Sequence, residues 1–598
     1  MDDDARPVDE ARDGRGDVND DRSAPDDDRR TSRRGFLRAA GIGAAGLGVG
    51  AAGGAAGAAA RDAIPATPLR APVPAIPNRV GGKGFDHLVV VMFENRSFDN
   101  LLGYLYGPST EPVPDGQEFE GVEGKQLANR TSDGLEIPVH TYSGPTDRVM
   151  RSPDPDPGEE YPFVNTQLFG TIEPAANVDH RIPQLQPPFN APPTGTKPTM
   201  SGFLQDYVDK WRADHRGRAP QPDDVRQIMG SFSPDMMPVL SMLAREFAVY
   251  DHWHCAVPSQ TFPNRSFFHA STSHGFVTNG FNPGAGKWVD PDRNTGATIF
   301  NRLEEAKVDW RVYYDERQLI SLTGLLHAPQ LEKYWKTNFR TMKTFYEDVA
   351  KGTLPAYSFI EPRLLYDHND MHPPVGPATR VDIDGTVIEG GGISDVRAGD
   401  ALLHQIYTAI RSSASHTGSN ALNTTLFVTF DEHGGTYDHV PPPAATPPGG
   451  PTDTEMGFRF DRLGVRVPAI VVSAYTPART VLNRTMHHGS VIRTLCDRFG
   501  LRYLTARDRH APTMEDAFAL DAPRDPSTWP TTFPLYTPPN PESIDPTADG
   551  DDDRPLSPPG IGLLTLLLAR YAPDEPIPQT YREAYAAVHR HGEGLFGR

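Results

Sequence analysis

The chain has 598 residues, 37% of them apolar and 23% charged. This is enough apolar material for a sizeable core, and it excludes a wholly disordered protein. The formal net charge is −20, and a polyanion of this kind is a poor partner for DNA or RNA. Sixty prolines and 55 glycines predict long loops and argue against a coiled coil or a helical solenoid.

The first sixty residues have the pattern of an export signal. Residues 1–30 are rich in Asp and Arg and should form a disordered acidic leader. In 31–60, Arg33 and Arg34 precede an Ala- and Gly-rich run, which is typical of a twin-arginine signal peptide. The alternative is a membrane anchor, but Ala and Gly partition weakly into a bilayer, so we expect no stable membrane span after processing. The twin-arginine export machinery is then a partner, and the expected location is secreted or in the cell envelope.

After a Pro-rich linker at 61–83, the chain alternates between predicted strands and helices. Apolar, β-rich runs predict strands at 88–93, 310–314, 356–360, 425–430 and 467–473. Helical patterns fall at 236–247, 342–349 and 398–411. Such an alternation predicts an α/β fold with a mostly parallel central sheet. We assign the catalytic domain to 84–510 and expect 107–200 to be loop-like. Residues 511–598 are Pro- and Asp-rich and then helical, and should pack on the same domain.

The first segment that can carry chemistry follows the strand predicted at 88–93. Glu94 and Asn95 come directly after its apolar run, and ligands of open parallel sheets bind beyond the carboxyl ends of the strands. A carboxylate and an amide oxygen suit a hard divalent cation. Asn95 can instead donate its amide hydrogens to a developing oxyanion, and an exposed turn with solvated charges is a third interpretation.

The second segment follows the strand predicted at 425–430 and begins with Asp431 and Glu432. The paired glycines Gly434 and Gly435 allow the backbone to turn sharply beside a ligand. Two strand ends that present carboxylates at one edge of one sheet can converge on one metal ion. Oxygen ligands favour Ca²⁺, Mg²⁺ or Mn²⁺, and an added histidine admits Zn²⁺ or Fe.

Thr261 opens the third segment, two residues before Pro263. Proline suits the first turn of a helix, and threonine suits the N-cap region. A hydroxyl there faces the positive end of the helix dipole, which favours an alkoxide and binds phosphate. For a lone threonine an ordinary cap is the simpler interpretation. A metal held by the other two segments would lower the pKa of the hydroxyl and make Thr261 a nucleophile.

Three motifs follow one another along the chain: Glu94-Asn95-Arg96-Ser97-Phe98-Asp99, Thr261-x-Pro263-Asn264-Arg265 and Asp431-Glu432-x-Gly434-Gly435-x-Tyr437-Asp438-His439-Val440. With them, the chain resembles the bacterial phosphoesterase family of secreted phospholipases C and related acid phosphatases. The resemblance runs from about Phe85 to about Asp508. It implies an alkaline-phosphatase-like fold, a three-layer α/β/α sandwich.

The resemblance also implies a set of site residues. It implies one divalent metal ion, Ca²⁺, Mg²⁺, Mn²⁺, Zn²⁺ or Fe, surrounded by Glu94, Asn95, Thr261, Asp431 and Glu432. Thr261 would attack phosphorus and form a phospho-threonine intermediate, while Arg265 and the metal hold the non-bridging phosphate oxygens. A histidine should protonate the leaving group and later activate water. His372 is our first choice and His439 the second, with His254 and His488 left open.

The sequence is therefore interpreted as an exported, metal-dependent hydrolase of phospholipase C type, acting on a phosphodiester in a phospholipid or similar phosphate ester. The alternative is an acid phosphatase acting on phosphate monoesters. A second alternative is a non-catalytic binding protein on the same fold, which would be marked by loss of Thr261 or of the carboxylates. Cys255 and Cys496 can form a disulfide only if their Cα atoms come within about 7 Å.

Overall fold

The computed structural model describes residues 84–144, 148–179, 184–280, 284–365, 368–374, 378–381, 387–390, 395–450, 454–534 and 555–597. The leader, the signal peptide and the linker predicted at 1–30, 31–60 and 61–83 lie outside the described residues. In the part of the chain that is described, every helix is too short or too polar to cross a membrane.

The strands are named in chain order. They are β1 His87–Phe93, β2 Ala128–Arg130, β3 Glu136–Pro138, β4 His140–Thr141, β5 Gly230–Ser231, β6 Ala248–Tyr250, β7 Trp253–His254, β8 Trp310–Tyr314, β9 Phe339–Thr341, β10 Tyr357–Ile360, β11 Ala378–Val381, β12 Val387–Gly390, β13 Thr424–Phe430, β14 Ala469–Val472, β15 Thr480–Leu482 and β16 Met486–His487. A central sheet of eight strands has the order β15-β6-β14-β13-β1-β10-β8-β9. β14 runs antiparallel to β13 and β6, and the other neighbours pair in parallel.

The α-helices are also named in chain order. They are α1 Phe98–Leu102, α2 Tyr161–Phe169, α3 Phe203–Asp214, α4 Pro222–Val225, α5 Pro238–Glu246, α6 Thr261–Ala270, α7 Gly286–Val289, α8 Ile299–Glu305, α9 Leu322–Leu326, α10 Ala328–Leu331, α11 Trp335–Asn338, α12 Met342–Lys351, α13 Val396–Ser412, α14 Gly489–Phe499, α15 Ala506–Arg509, α16 Pro558–Tyr571 and α17 Tyr581–His591.

Helices cover both faces of the central sheet. Phe359 of β10 lies beside Val312 of β8, so the two side chains point to the same face. On that face Phe359 contacts Phe268 of α6, with ring centroids 5.8 Å apart. Tyr313, the next residue of β8, points to the opposite face and contacts Phe345 of α12 at 5.3 Å. The predicted α/β fold with helices on both sides of a mostly parallel sheet is confirmed.

The structure departs from the sequence analysis in three places. β14 falls inside the predicted strand 467–473 but is antiparallel to its neighbours. The sheet contains three further strands, β6, β9 and β15, each three residues long and too short for a periodic pattern. The stretch 107–200 holds the helix α2 and the short strands β2, β3 and β4 as well as loops. Cys255 and Cys496, whose pairing the sequence leaves open, are buried free thiols.

Candidate active site

The two acidic strand ends meet at the carboxyl edge of the sheet. β1 and β13 are neighbours and pair in parallel through their last residues. Glu94 and Asn95 directly follow the first of them, and Asp431 and Glu432 directly follow the second. All four side chains are fully buried. The convergence expected from the sequence is therefore present, and none of the four is a solvated turn residue.

Tight backbone turns hold these side chains in place. Asn95 has a left-handed backbone, with φ of 57°, and its N–H donates to Asp431 Oδ1 at 3.1 Å. The N–H of Arg96 donates to the carbonyl of Glu432 at 3.1 Å. Gly434 has a φ of +59°, and a Cβ there would lie 2.3 Å from the carbonyl oxygen of Asn95. The second turn therefore needs glycine, because the first turn packs directly against it.

Helix α6 brings Thr261 and Arg265 to the same place. Gln260 is its N-cap and Thr261 its first residue. Thr261 Oγ1 donates to Glu94 Oε2 at 3.2 Å. Arg265, one helical turn further, forms an ion pair with Glu94 and another with Asp431, where Nε and Oδ2 are 3.3 Å apart. The hydroxyl predicted to be the nucleophile thus lies in contact with the carboxylate cluster.

The cluster holds more buried negative charge than Arg265 neutralises. Burial raises the pKa of Glu94, Asp431 and Glu432 above their usual range, although Arg265 lowers the pKa values of Glu94 and Asp431 in part. Two buried oxygens, Asn95 Oδ1 and Glu432 Oε1, have no hydrogen-bond partner among the described residues. Buried charge and unpartnered acceptors are both costly without a cation. The donor set therefore fits a divalent metal ion.

A second acidic group borders this cluster. Ligand atoms of Asp156, Glu159 and His372, all buried, lie within 4.8 Å of one another. Asn95 Nδ2 donates to Glu159 Oε2 and is 3.0 Å from His372 Nε2. Burial raises the pKa of Glu159 to about 7 and lowers that of His372 to about 4. His372, the first choice among the histidines, is therefore at the site and is neutral near pH 7.

His439, the second choice, belongs to a different group. Its Nδ1 is 2.6 Å from Asp99 Oδ2, and its Nε2 is 2.8 Å from Glu120 Oε1. Arg466 completes the group by an ion pair with Asp99 at 2.7 Å. Burial lowers the pKa of His439, but the hydrogen bond and charge of Asp99 outweigh it and raise the pKa overall. The contacts of His439 are those of an ion-pair network, and its catalytic role stays a prediction.

The two remaining histidines have structural contacts. His254 Nδ1 is 3.0 Å from the carbonyl of Gly464. His488 Nε2 is 2.7 Å from the carbonyl of Asp431, and its Nδ1 accepts from Trp253 Nε1 at 3.3 Å. His488 thereby holds the backbone of a predicted metal ligand, a contact that joins residues 57 positions apart.

Arg265 lies against the carboxylates of the cluster. Its guanidinium is buried against the carboxylates of Glu94 and Asp431. Burial lowers its pKa, and the two carboxylates more than offset this and raise it. Nη1 is the guanidinium nitrogen without a partner among the described residues. Binding of a phosphate oxygen by Arg265 remains a prediction.

Fold and site together define an α/β protein with a carboxylate-rich, hydroxyl-bearing centre at the carboxyl edge of its sheet. Non-specific phospholipase C1 of Arabidopsis thaliana is 31% identical to the chain over 467 residues, 73% of this chain and 72% of that protein. Phospholipase C B of Mycobacterium tuberculosis is 24% identical over 497 residues, 74% of this chain and 79% of that protein. A solved protein of the alkaline phosphatase superfamily from Vibrio parahaemolyticus is 15% identical, with a TM-score of 0.28 over 47% of this chain and 65% of that one.

The model of the phosphoesterase family matches residues 85–502. The chain therefore belongs to the phosphoesterase family. It is a hydrolase that acts on phosphoric ester bonds.

Proposed function

We propose that the protein is a metal-dependent phosphodiesterase of phospholipase C type that works through a phospho-threonine intermediate. The observation that carries the proposal is the contact between Thr261 Oγ1 and Glu94 Oε2 at 3.2 Å, at the start of a helix and inside a buried carboxylate cluster. The names of the relatives, phospholipases C from a plant and a bacterium, support a phospholipid-type diester as substrate.

The residues that would hold the metal are Glu94, Asp431 and Glu432, whose carboxylates are buried, and Asn95, whose Oδ1 has no partner among the described residues. Thr261 would join them through Oγ1, which contacts Glu94 Oε2. When bound, a divalent ion supplies positive charge that stabilises the phosphate oxygens and favours the deprotonated hydroxyl. Arg265 keeps the carboxylates of Glu94 and Asp431 in position through its two ion pairs.

In the first half-reaction, Thr261 Oγ1 attacks phosphorus and the bond between phosphorus and the leaving alcohol breaks. The hydroxyl proton departs toward Glu94 Oε2, the atom to which it already points. We assign protonation of the leaving alcohol to His372, because it is the predicted histidine that contacts Asn95. Nε2 is the acceptor nitrogen of the neutral ring, so it first takes up a proton from solvent and then passes that proton to the leaving oxygen. In the second half-reaction, water attacks the same phosphorus and gives a proton to His372 Nε2, and the bond from phosphorus to Thr261 breaks as Oγ1 takes back the proton held by Glu94.

We also propose that the chain is exported by the twin-arginine pathway and acts in the cell envelope or outside the cell. Arg33 and Arg34 before the Ala- and Gly-rich run support this. The test is to fuse residues 1–60 to a reporter that is active only after export and to measure the reporter activity. Substituting both arginines by lysine should abolish export, and export that continues would contradict the proposal.

The catalytic proposal is tested by hydroxyl removal at Thr261. Thr261→Val should lose activity by a factor of at least about 10³, while Thr261→Ser should retain part of it. Thr298→Val is the matched control, since Thr298 is the N-cap of α8 and accepts from Asn301 N. It should lose stability of about 1 kcal/mol but keep its activity.

The substrates are a nitrophenyl phosphate monoester, a bis-nitrophenyl diester and nitrophenyl phosphocholine. A preference for the diesters supports the phospholipase C reaction. A preference for the monoester would mean that the protein is a phosphatase that uses the same nucleophile, and not a phospholipase C. A Thr261→Val protein that folds and turns over at the wild-type rate would overturn the mechanism.

A further inference from the structure

Glu159 lies outside the three sequence motifs, yet its carboxylate joins two amides of the active site. Oε2 accepts from Asn95 Nδ2, and Oε1 accepts from Gln260 Nε2 at 3.1 Å. Asn95 follows β1, and Gln260 is the N-cap of α6, directly before Thr261. One buried side chain therefore connects the strand that carries a predicted metal ligand to the helix that carries the predicted nucleophile.

The contact with Glu159 determines which atom of the Asn95 amide faces the carboxylates. His372 Nδ1 lies 2.6 Å from the carbonyl of Pro373, so this nitrogen carries the proton and Nε2 is an acceptor. Asn95 Nδ2 thus has acceptors on Glu159 and His372, and Oδ1 is left without a partner among the described residues. If the Asn95 amide were rotated by 180°, its oxygen would face the acceptor atoms of Glu159 and His372 and could form no hydrogen bond with either. The arrangement therefore leaves Oδ1 as the ligand atom.

The contact with Gln260 fixes the residues on both sides of Thr261. Gln260 Oε1 accepts from the N–H of Asn279 at 2.9 Å. Asn279 Oδ1 in turn accepts from the N–H of Phe262 at 2.8 Å. Glu159 is the end of this chain of side-chain hydrogen bonds, and it ties the first turn of α6 to Asn95. Thr261, which lies between Gln260 and Phe262, is therefore connected to Asn95 through Glu159.

The backbone before Glu159 is itself held rigidly. Gln167 Nε2 of α2 donates to the carbonyl of Gly158 at 2.6 Å. A Cβ on Gly435 would lie 2.4 Å from that same carbonyl oxygen, so the turn after Asp431 packs directly against it. Glu159 is thus placed by α2 and by the turn that follows β13, before any ligand binds.

We infer that Glu159 is a positioning residue that orients the Asn95 oxygen toward the metal and sets the distance between the metal ligands and Thr261. It acts through Asn95 and Gln260. The inference rests on the proposed function, since it assigns a purpose to that metal and that nucleophile. The inference adds a requirement that the three motifs do not contain. The side chain at position 159 must accept hydrogen bonds from both Asn95 and Gln260.

The test exchanges donor and acceptor between the two side chains, in the full chain. Glu159→Gln alone turns one acceptor into a donor, so either Asn95 or Gln260 loses its bond. Combining Glu159→Gln with Gln260→Glu restores every bond: the position-159 amide oxygen accepts from Asn95, its nitrogen donates to position 260, and the new carboxylate still accepts from Asn279. The measured quantities are the Mn²⁺ dissociation constant by calorimetry and kcat and KM on bis-nitrophenyl phosphate.

We expect Glu159→Gln to weaken Mn²⁺ binding and to lower kcat, each on the order of ten- to a hundredfold, and the exchanged pair to recover most of both. Asp400→Asn is the matched control, because Asp400 is also a buried carboxylate that accepts from two N–H groups, those of Val239 and Leu240. It should change neither quantity.

Three results would overturn the inference. One is an exchanged pair as impaired as Glu159→Gln, another is unchanged Mn²⁺ affinity and kcat in Glu159→Gln, and the third is an equal loss in Asp400→Asn. Failure of the proposed function looks different. In that case the wild type binds Mn²⁺ and responds to the exchange, but Thr261→Val keeps its activity.

Discussion

His372 has both ring nitrogens in hydrogen-bonding contacts, Nδ1 with the carbonyl of Pro373 and Nε2 with Asn95 Nδ2. Burial lowers its pKa to about 4, although the neighbouring Asp370 raises it in part. The resting protein therefore uses the neutral imidazole to hold the Asn95 amide. To protonate a leaving group, the same nitrogen must first take up a proton. The two roles can be distinguished by comparing substrates whose leaving groups differ in their need for a proton.

His372→Gln should affect poor leaving groups more than good ones. A nitrophenolate departs without a proton, whereas an alkyl alcohol needs one, so general acid catalysis contributes about 10²–10⁴ only to the alkyl ester. The measurement is the ratio of kcat for an alkyl phosphocholine to kcat for nitrophenyl phosphocholine, in wild type and variant. An equal loss on both esters would mean that His372 only orients Asn95.

His254 makes the stability of the fold dependent on pH. Burial lowers its pKa to about 3, against an ordinary value of 6.5. The folded state keeps the ring neutral while the unfolded state takes up a proton below pH 6.5, so its contribution is full above pH 6.5 and is lost as the pH falls toward 3. At pH 5 the loss is about 2 kcal/mol.

His254→Asn should therefore show a smaller drop in unfolding free energy between pH 7 and pH 5 than the wild type. Urea unfolding at the two pH values measures it. If the unfolding free energy fell by the same amount between pH 7 and pH 5 in wild type and variant, the folded protein would not be keeping the His254 ring neutral.

Residues that follow apolar strands could be predicted from the sequence, and Glu159 could not. Glu94 and Asp431 each come after a strand that is recognisable by itself, and parallel strands end at one edge. Glu159 belongs to a stretch without clear periodicity, and its partners Asn95 and Gln260 are 64 and 101 positions away. The available signal was a run of acidic residues and prolines just before α2, which is also typical of an exposed loop.

Among the elements, the turn after β13 has no room for a side chain at Gly434. Gly434→Ala would place a Cβ 2.3 Å from the Asn95 carbonyl in a left-handed backbone. The backbone conformation alone costs about 1–2 kcal/mol, and the clash displaces the Asn95 backbone. We expect a lower unfolding free energy and a loss of activity larger than the change in stability explains.

Gly449→Ala is the control for this substitution. Gly449 has a φ of +80° and nothing within 4 Å of its Cβ position, so it carries the backbone cost without the clash. Equal losses of stability and activity in the two variants would contradict a close packing of the two turns.

The longer strands of the central sheet could be predicted from the sequence, and its three-residue strands could not. β1, β10 and β13 are buried on both faces, β8 is buried except at Arg311, and all four are rich in apolar, aromatic or β-branched residues. The strands β6, β9 and β15 have three residues each, and they are held by neighbours rather than by a pattern of their own. The direction of β14 depends on its connection, which apolar content does not encode.

For the whole molecule, the balance of buried charge couples metal binding to stability. The site collects the carboxylates of Glu94, Asp431 and Glu432 in the interior, where Arg265 forms ion pairs with the first two. A ligand that binds only the folded state stabilises it by about 2.7 kcal/mol at a concentration one hundred times its dissociation constant.

Chelation should therefore lower the melting temperature, and Mn²⁺ should restore it. Differential scanning calorimetry of the full chain, before and after EDTA, measures the shift. Asp431→Asn should reduce the response, because a ligand and a charge are lost. A melting temperature that ignores both EDTA and added Mn²⁺ would argue against a metal in the site.

The most direct measurement is to trap the covalent intermediate on the wild-type protein. Acid quenching during turnover of bis-nitrophenyl phosphate, followed by peptide mass spectrometry, looks for a nitrophenyl-phosphoryl group on Thr261. The account predicts this adduct on the peptide that contains Thr261, and its absence in Thr261→Val. Turnover by the wild type with no adduct at Thr261, together with full activity of Thr261→Val, would contradict the central claim that this hydroxyl is the nucleophile.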